Sequence, residues 1–185
     1  QALRCYSQPG HIVIGSDDSK AADKVEKLFS PMNAKCLKMN LPSAEMAKHA
    51  INTFLATSIT LANQWADLCE ASGASYFDVA SAIKHDHRIG EKAYVAQGIG
   101  FSGGTLGRDL KVLDRYNREY SENLGPLFGQ VWDYNATRFE VVKRKCEKVL
   151  GGIQGKIITL LGMTYKPGTS TLRRSLPLDV AEDLI

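Results

Sequence analysis

PSAEMAKHAINTFLATSITLANQWADLCEASG, residues Pro42 to Gly73, reads as one long helix. Pro42 is tolerated only in a first turn. Ser43 is a candidate N-cap, and Gly73 is a natural stop. Roughly 30 residues at ~1.5 Å each make a rod of about 45 Å, long for a chain of 185 residues. Ile51, Phe54, Leu55, Ala62, Trp65, Leu68 and Cys69 recur at spacings of three and four, which predicts one broad apolar face. Burying such a face contributes on the order of 10 kcal/mol and calls for other helices, often those of a second copy. Lys48, Asn52 and Asn63 fall within a wedge of about 60° on the same rod, with Lys48 and Asn52 one turn apart. A cation and an amide therefore point the same way. The alternative is a plain solvated face.

Upstream of the rod, His11–Gly15 (HIVIG) reads as a buried strand, Ser19–Phe29 as a helix closed by Pro31, and Lys35–Met39 (KCLKM) as a second strand. This strand–helix–strand unit looks like the edge of a sheet whose other strands are missing. Downstream, Tyr76–Lys84 reads as a helix and His85–Gly90 as a polar loop. The run Gly98–Gly107 (GIGFSGGTLG) is too rich in glycine for helix or strand. Arg108-Asp109 opens a helix, and Pro126 to Leu150 reads as a single long one. Lys156–Leu161 (KIITLL) reads as a strand, and a final helix starts at Ser175. Both ends thus carry orphan α/β elements around a helical middle, and the chain starts at Gln1 without methionine. The expectation is a piece of a longer protein.

The composition is 44% apolar and 23% charged with a net charge of +3, as in a globular protein. The positive charge is scattered, and no basic run interleaved with aromatics suggests nucleic acid. The four cysteines, Cys5, Cys36, Cys69 and Cys146, have neither metal-ligand spacing nor the look of a disulfide framework, so a reducing cytoplasm fits. No apolar run approaches membrane-spanning length, and nothing at the N-terminus resembles a signal peptide.

Gly98-Ile99-Gly100-Phe101-Ser102-Gly103 matches G-x-G-x-x-G literally, but the strand before it is poor and no helix starts until after Leu106. A dinucleotide fingerprint needs both. Two readings stay open: a glycine loop whose N–H groups approach a ligand's phosphates or sugar, or a flexible connector. His85 and His87 flank Asp86 in a polar loop that solvent would cover, with no further metal ligands near by. Lys166 follows a strand that should be parallel, where ligands bind, and suits an anion unless it is an ordinary surface lysine.

In order along the chain, five segments resemble the UDP-glucose/GDP-mannose dehydrogenase family. Ala44–Ala56 (AEMAKHAINTFLA) is similar to its AE-x-x-K-x-x-x-N-x-x-L-A, and Asn63-Gln64 to its N-E pair. Asp86–Gly90 (DHRIG) is similar to D-x-R-I-G. Gly100–Asp109 lies over G-[FY]-G-G-S-C-[FL]-P-K-D, and Lys166–Ser175 (KPGTSTLRRS) over K-x-x-T-D-D-x-R-x-S. The resemblance implies a mainly α fold: a central helical dimerisation domain built on one long helix, flanked by fragments of two α/β Rossmann-like domains. Residues 1–41 would end the NAD-binding domain, 42–150 would be the dimerisation domain, and 151–185 would begin the UDP-sugar-binding domain. It also implies a cytoplasmic homodimer through the 42–73 helix, with no nucleic acid, membrane or metal involved.

The resemblance further implies oxidation of a sugar C6 alcohol to a carboxylate with two NAD⁺. In that reaction a cysteine thiolate adds to the intermediate aldehyde, and the thioester formed by a second hydride loss is hydrolysed. Lys48 and Asn52 would stabilise the oxyanion, and Asp109 would position water. Arg88, Tyr94, Gly100, Phe101, Gly103 and Lys166 would contact a UDP- or GDP-linked sugar, Arg88 across the dimer interface. Arg173 would lie near the cofactor. One departure stands out: the cysteine position is Thr105. A thiol is a few per cent ionised at neutral pH, an alcohol is not, and no adjacent base is evident. Gly107-Arg108 replaces Pro-Lys, and Ser170-Thr171 replaces Asp-Asp. Three readings follow: a single two-electron oxidation, acid formation by another route, or a silent binding or dimerisation module.

Overall fold

A computed structural model describes residues 6–120 and 125–185 of the chain; Cys5 lies outside them. The described residues divide into two compact units, 1–51 and 52–185, and the division falls inside the long helix.

In the first unit, β1 (His11–Gly15) and β2 (Lys35–Met39) form a parallel two-stranded sheet, with His11 opposite Lys35 and Gly15 opposite Met39. Between them runs α1 (Ser19–Phe29), capped by Asp18, whose side chain accepts the Lys20 N–H at 2.8 Å. Ile14 and Ala22 are buried here.

The rod is α2 (Leu41–Ser72), 32 residues long. Its cap is Asn40 rather than Ser43: the Asn40 side chain accepts the Ser43 N–H at 2.9 Å, and its carbonyl accepts the Ala44 N–H at 3.1 Å. Gly73 ends it at φ +77°, and the Ala74 N–H reaches back to the Cys69 carbonyl at 2.8 Å, a Schellman stop. The packed face coincides only in part with the predicted one: Ala62 and Cys69 are buried and Trp65 packs against them, while Ile51, Phe54 and Leu68 are exposed. Its buried residues are Asn52, Thr53, Ala56, Thr60, Ala62, Asn63, Ala66 and Cys69, mostly small. Phe54, Leu61 and Leu68, spaced by seven, are exposed instead. Small side chains let the helix approach its neighbours closely, and the large ones point outward.

The second unit packs two small cores on this helix. In one, Ala62, Ala66 and Cys69 meet Tyr76 of α3 (Tyr76–His85), whose hydroxyl donates to the Val95 carbonyl at 3.0 Å. In the other, Ala56 meets Phe101, Leu110 of α4 (Thr105–Tyr120) and Val131 of α5 (Leu127–Thr137). The expected single helix over 126–150 is two, α5 and then α6 (Glu140–Leu150). At the break the N–H groups of Arg138, Val141 and Val142 bond three residues back rather than four. The buried Arg138 guanidinium is drawn aside, donating to both carboxylate oxygens of Asp67. The expected strand over 156–161 does not form, and Ile157 and Leu161 are fully exposed. A strand needs a neighbour's ladder, and no described segment supplies one. The chain closes with α7 (Leu176–Asp183).

Candidate active site

The glycine run is a loop anchored at several points. Asn63, fully buried on α2, accepts the Gly98 N–H at 2.7 Å. Asn135, buried on α5, grips Phe101 at both main-chain atoms: its Oδ1 accepts the Phe101 N–H at 2.7 Å, and its Nδ2 donates to the Phe101 carbonyl at 3.0 Å. Ser102 Oγ accepts the Leu176 N–H at 3.1 Å, and the Gly103 N–H donates to the Arg174 carbonyl at 2.8 Å. Gly100 stands at φ +107°, and a Cβ there would lie 2.5 Å from Asn135 Oδ1. Only glycine fits.

This clamp presents α4. Its first residue is Thr105, three positions before the expected start, so Thr105 is an exposed side chain on the opening turn. Among the described residues no side chain hydrogen-bonds its hydroxyl. One turn on, Asp109 is buried, and its carboxylate accepts a short hydrogen bond from Asn52 Nδ2, also buried. Arg108 Nε stands 3.3 Å from its other oxygen. A buried carboxylate needs such donors, since an unpaired one costs several kcal/mol. Lys48 precedes Asn52 by one helical turn of α2, in the first unit.

Thr105 lines a polar concavity of about 320 Å³ with Gly103, Gly104, Tyr165, Thr171, Arg173 and Arg174. Lys166 stands with its ammonium 5.1 Å from the Tyr165 ring centre. Arg88 is exposed, but its fork is held by its own Asp86: Nε to Oδ1 at 3.0 Å and Nη2 to Oδ2 at 2.7 Å. The Asp86 carboxylate also accepts the Arg88 N–H at 2.9 Å. These bonds pull the Asp86 pKa below the usual carboxylate range and raise that of Arg88. Tyr94 is half-exposed on the loop before the glycines. Phe101, expected at the ligand, has its side chain in the core and both main-chain groups on Asn135. Asn135 was missed in the sequence; its signal is a polar residue four after the buried Val131 on the same helix face.

The family model for the central domain of UDP-glucose/GDP-mannose dehydrogenases matches residues 42–137, the stretch that carries α2, the glycine loop and α4. The chain belongs to this family. Two UDP-glucose 6-dehydrogenases of Bacillus subtilis, TuaD and YwqF, are 36% and 34% identical over 91% and 94% of the chain. The chain spans 36% and 39% of their lengths. The structure of a UDP-glucose dehydrogenase from the archaeon Pyrobaculum islandicum superposes over the whole chain with a TM-score of 0.90 at 31% identity, with 42% of that protein covered. A UDP-D-ManNAc dehydrogenase from Pyrococcus horikoshii shares the fold, with a TM-score of 0.82 at 24% identity over 98% of this chain and 43% of its own. Among the described residues of this dehydrogenase-family chain, no group of His, Cys, Asp and Glu could hold a metal, and no helix is long and apolar enough to cross a membrane.

Proposed function

We propose that the chain supplies the central part of an NAD-dependent nucleotide-sugar dehydrogenase in which a single two-electron oxidation of the sugar C6 alcohol replaces the family's double one. The observation that carries this is the opening turn of α4, where Thr105 stands at the thiol position without a base while Asp109, one turn on, is held by Asn52. Asn52 and Lys48, spaced by a turn, suit an alkoxide that develops at the carbinol oxygen, and Asp109 suits the positioning of water or a proton. A UDP- or GDP-linked sugar would lie along the glycine loop, with Tyr94, Lys166 and Gly103 as neighbours and Arg88 reaching in from a second copy. NAD, when bound, takes the hydride; Arg173, on the concavity that Thr105 lines, has the charge and planar fork that suit a pyrophosphate.

The homodimer belongs to the same proposal. Phe54, Leu61 and Leu68 form an outward strip on α2, and Phe77 on α3 is also exposed. The free cysteines Cys36, Cys69 and Cys146 support a cytoplasmic setting. On their own, these 185 residues are expected to show no turnover. The experiment is the NADH yield per sugar from the full-length protein across a panel of UDP- and GDP-sugars. No NADH from any of them would favour a silent binding or dimerisation module, the reading that the baseless hydroxyl of Thr105 also permits.

A further inference from the structure

Gly98, the first residue of the glycine run, is held at both of its main-chain polar groups. Its N–H donates to Asn63 Oδ1 at 2.7 Å, and its carbonyl accepts from Arg138 Nε at 3.4 Å. Arg138 is the C-cap residue of α5 and is buried. The outer edge of its guanidinium is occupied by Asp67: Nη1 donates to Oδ2, and Nη2 donates to Oδ1 at 2.9 Å. The Tyr134 hydroxyl donates to Oδ2 of the same carboxylate at 3.4 Å. A buried guanidinium is unfavourable alone, and the two-pronged carboxylate offsets its desolvation. Asn63 and Asp67 lie one turn apart on α2, so the rod meets the loop at Gly98 twice, once directly and once through Arg138. It meets α4 at another level, where Asn52 holds Asp109. Asn52 and Asn63 stand about 16 Å apart along the helix axis. Glycine tolerates many backbone shapes, and Gly100 and Gly103 take φ of +107° and +86°. The anchors, rather than the loop's own preferences, therefore select its path.

We propose that Arg138 is a positioning residue for the nucleotide sugar: through the Gly98 carbonyl it fixes the start of the glycine loop at one level of α2, relative to Asn52 and Asp109. The inference rests on the reading that a UDP- or GDP-linked sugar lies along this loop. Arg138 acts on main chain and not on Asn52 or Asp109, so it governs binding along the loop and leaves the hydride step alone.

Two substitutions separate the loop contact from the ion pair. Arg138→Gln puts an amide N–H where Nε stands and brings no charge to Asp67. Arg138→Lys puts a methylene there and extends an ammonium toward Asp67. In the full-length protein, Arg138→Lys should raise KM for the nucleotide sugar about tenfold, as expected for one charge-assisted hydrogen bond. Its kcat and its KM for NAD should stay within about twofold of native. Arg138→Gln should keep the sugar KM within about threefold of native, yet show the lower Tm of the two. A KM that follows Tm instead of the Gly98 contact makes Arg138 a residue of the fold alone and overturns the proposal. Should one variant not fold, the other decides: a native KM in Arg138→Lys, or a tenfold rise in Arg138→Gln, overturns it. The calorimetric Kd for the nucleotide sugar is measured beside turnover. A native protein that binds one and makes no NADH removes the oxidation, and Arg138 is then judged by Kd on the same expectations. A native protein that binds none removes both.

Discussion

Replacing Asn135 by alanine should loosen the glycine loop at its centre. The amide holds both main-chain groups of Phe101, and all of these atoms are shielded, with Asn135 5% and Phe101 6% exposed. A buried donor or acceptor left unsatisfied costs about 1–3 kcal/mol. Two such groups, less some relief from water entering the gap, give on the order of 3 kcal/mol. For a chain of this size that is a fall of roughly 6–12 °C in Tm. Urea unfolding followed by circular dichroism measures it, and amide exchange at Phe101 should accelerate while exchange in α1 does not. Gly100→Ala supplies the cross-check. In the native background it meets both a positive φ and a collision with Asn135 Oδ1. With Asn135→Ala the collision is gone and only the backbone strain remains, so the double variant should be more stable than the sum of the singles by about 1 kcal/mol or more. A cost below about 0.5 kcal/mol for Asn135→Ala, or strict additivity, would refute the clamp.

Three further outcomes are expected. Phe54→Asp with Leu68→Asp, at exposed positions of α2, should convert a dimer into a monomer at tens of micromolar by light scattering without loss of helix; a monomeric native chain would remove the interface. The hydrogen bonds from Arg88 lower the Asp86 pKa, so the D-x-R brace is fully present above the ordinary carboxylate range and is lost as pH falls through the lowered value. The Arg88 Nε–H signal in NMR should broaden there and not at neutral pH. Gly107→Ala, driven against the Trp132 ring, should cost about 1–3 kcal/mol in denaturant unfolding, and Trp132→Ala should relieve the greater part of that increment.

Much of the secondary structure was legible because it is local. The β1, α1 and β2 boundaries follow directly from alternation, capping and the Pro31 stop. The length of α2 and its end at Gly73 follow from the same signals. What periodicity could not tell was how much of the apolar face of α2 packs within the chain, because Phe54 and Leu68 read as part of that face yet lie outside. The order of the glycine run was equally hidden: its anchors, Asn63, Asn135, Arg174 and Leu176, lie 34 to 74 residues away in sequence for the side-chain bonds among them. At the break between α5 and α6 Arg138 reaches Asp67, a partner 71 residues back. The strand over 156–161 had the right composition but no described neighbour to complete its ladder. The pairing of Asn52 with Asp109, 57 residues apart, was not legible in the motifs, and neither was the burial of the Phe101 side chain, because a motif records position and not the direction of a side chain.

The most direct test of the chemistry is NADH formed per sugar consumed by the full-length protein, native and Thr105→Cys side by side. One NADH per sugar from the native protein, rising to two when the thiol is restored, is the expected result. Two from the native protein would mean that Thr105 does not stop the second oxidation, and none from either would contradict the dehydrogenase reading altogether.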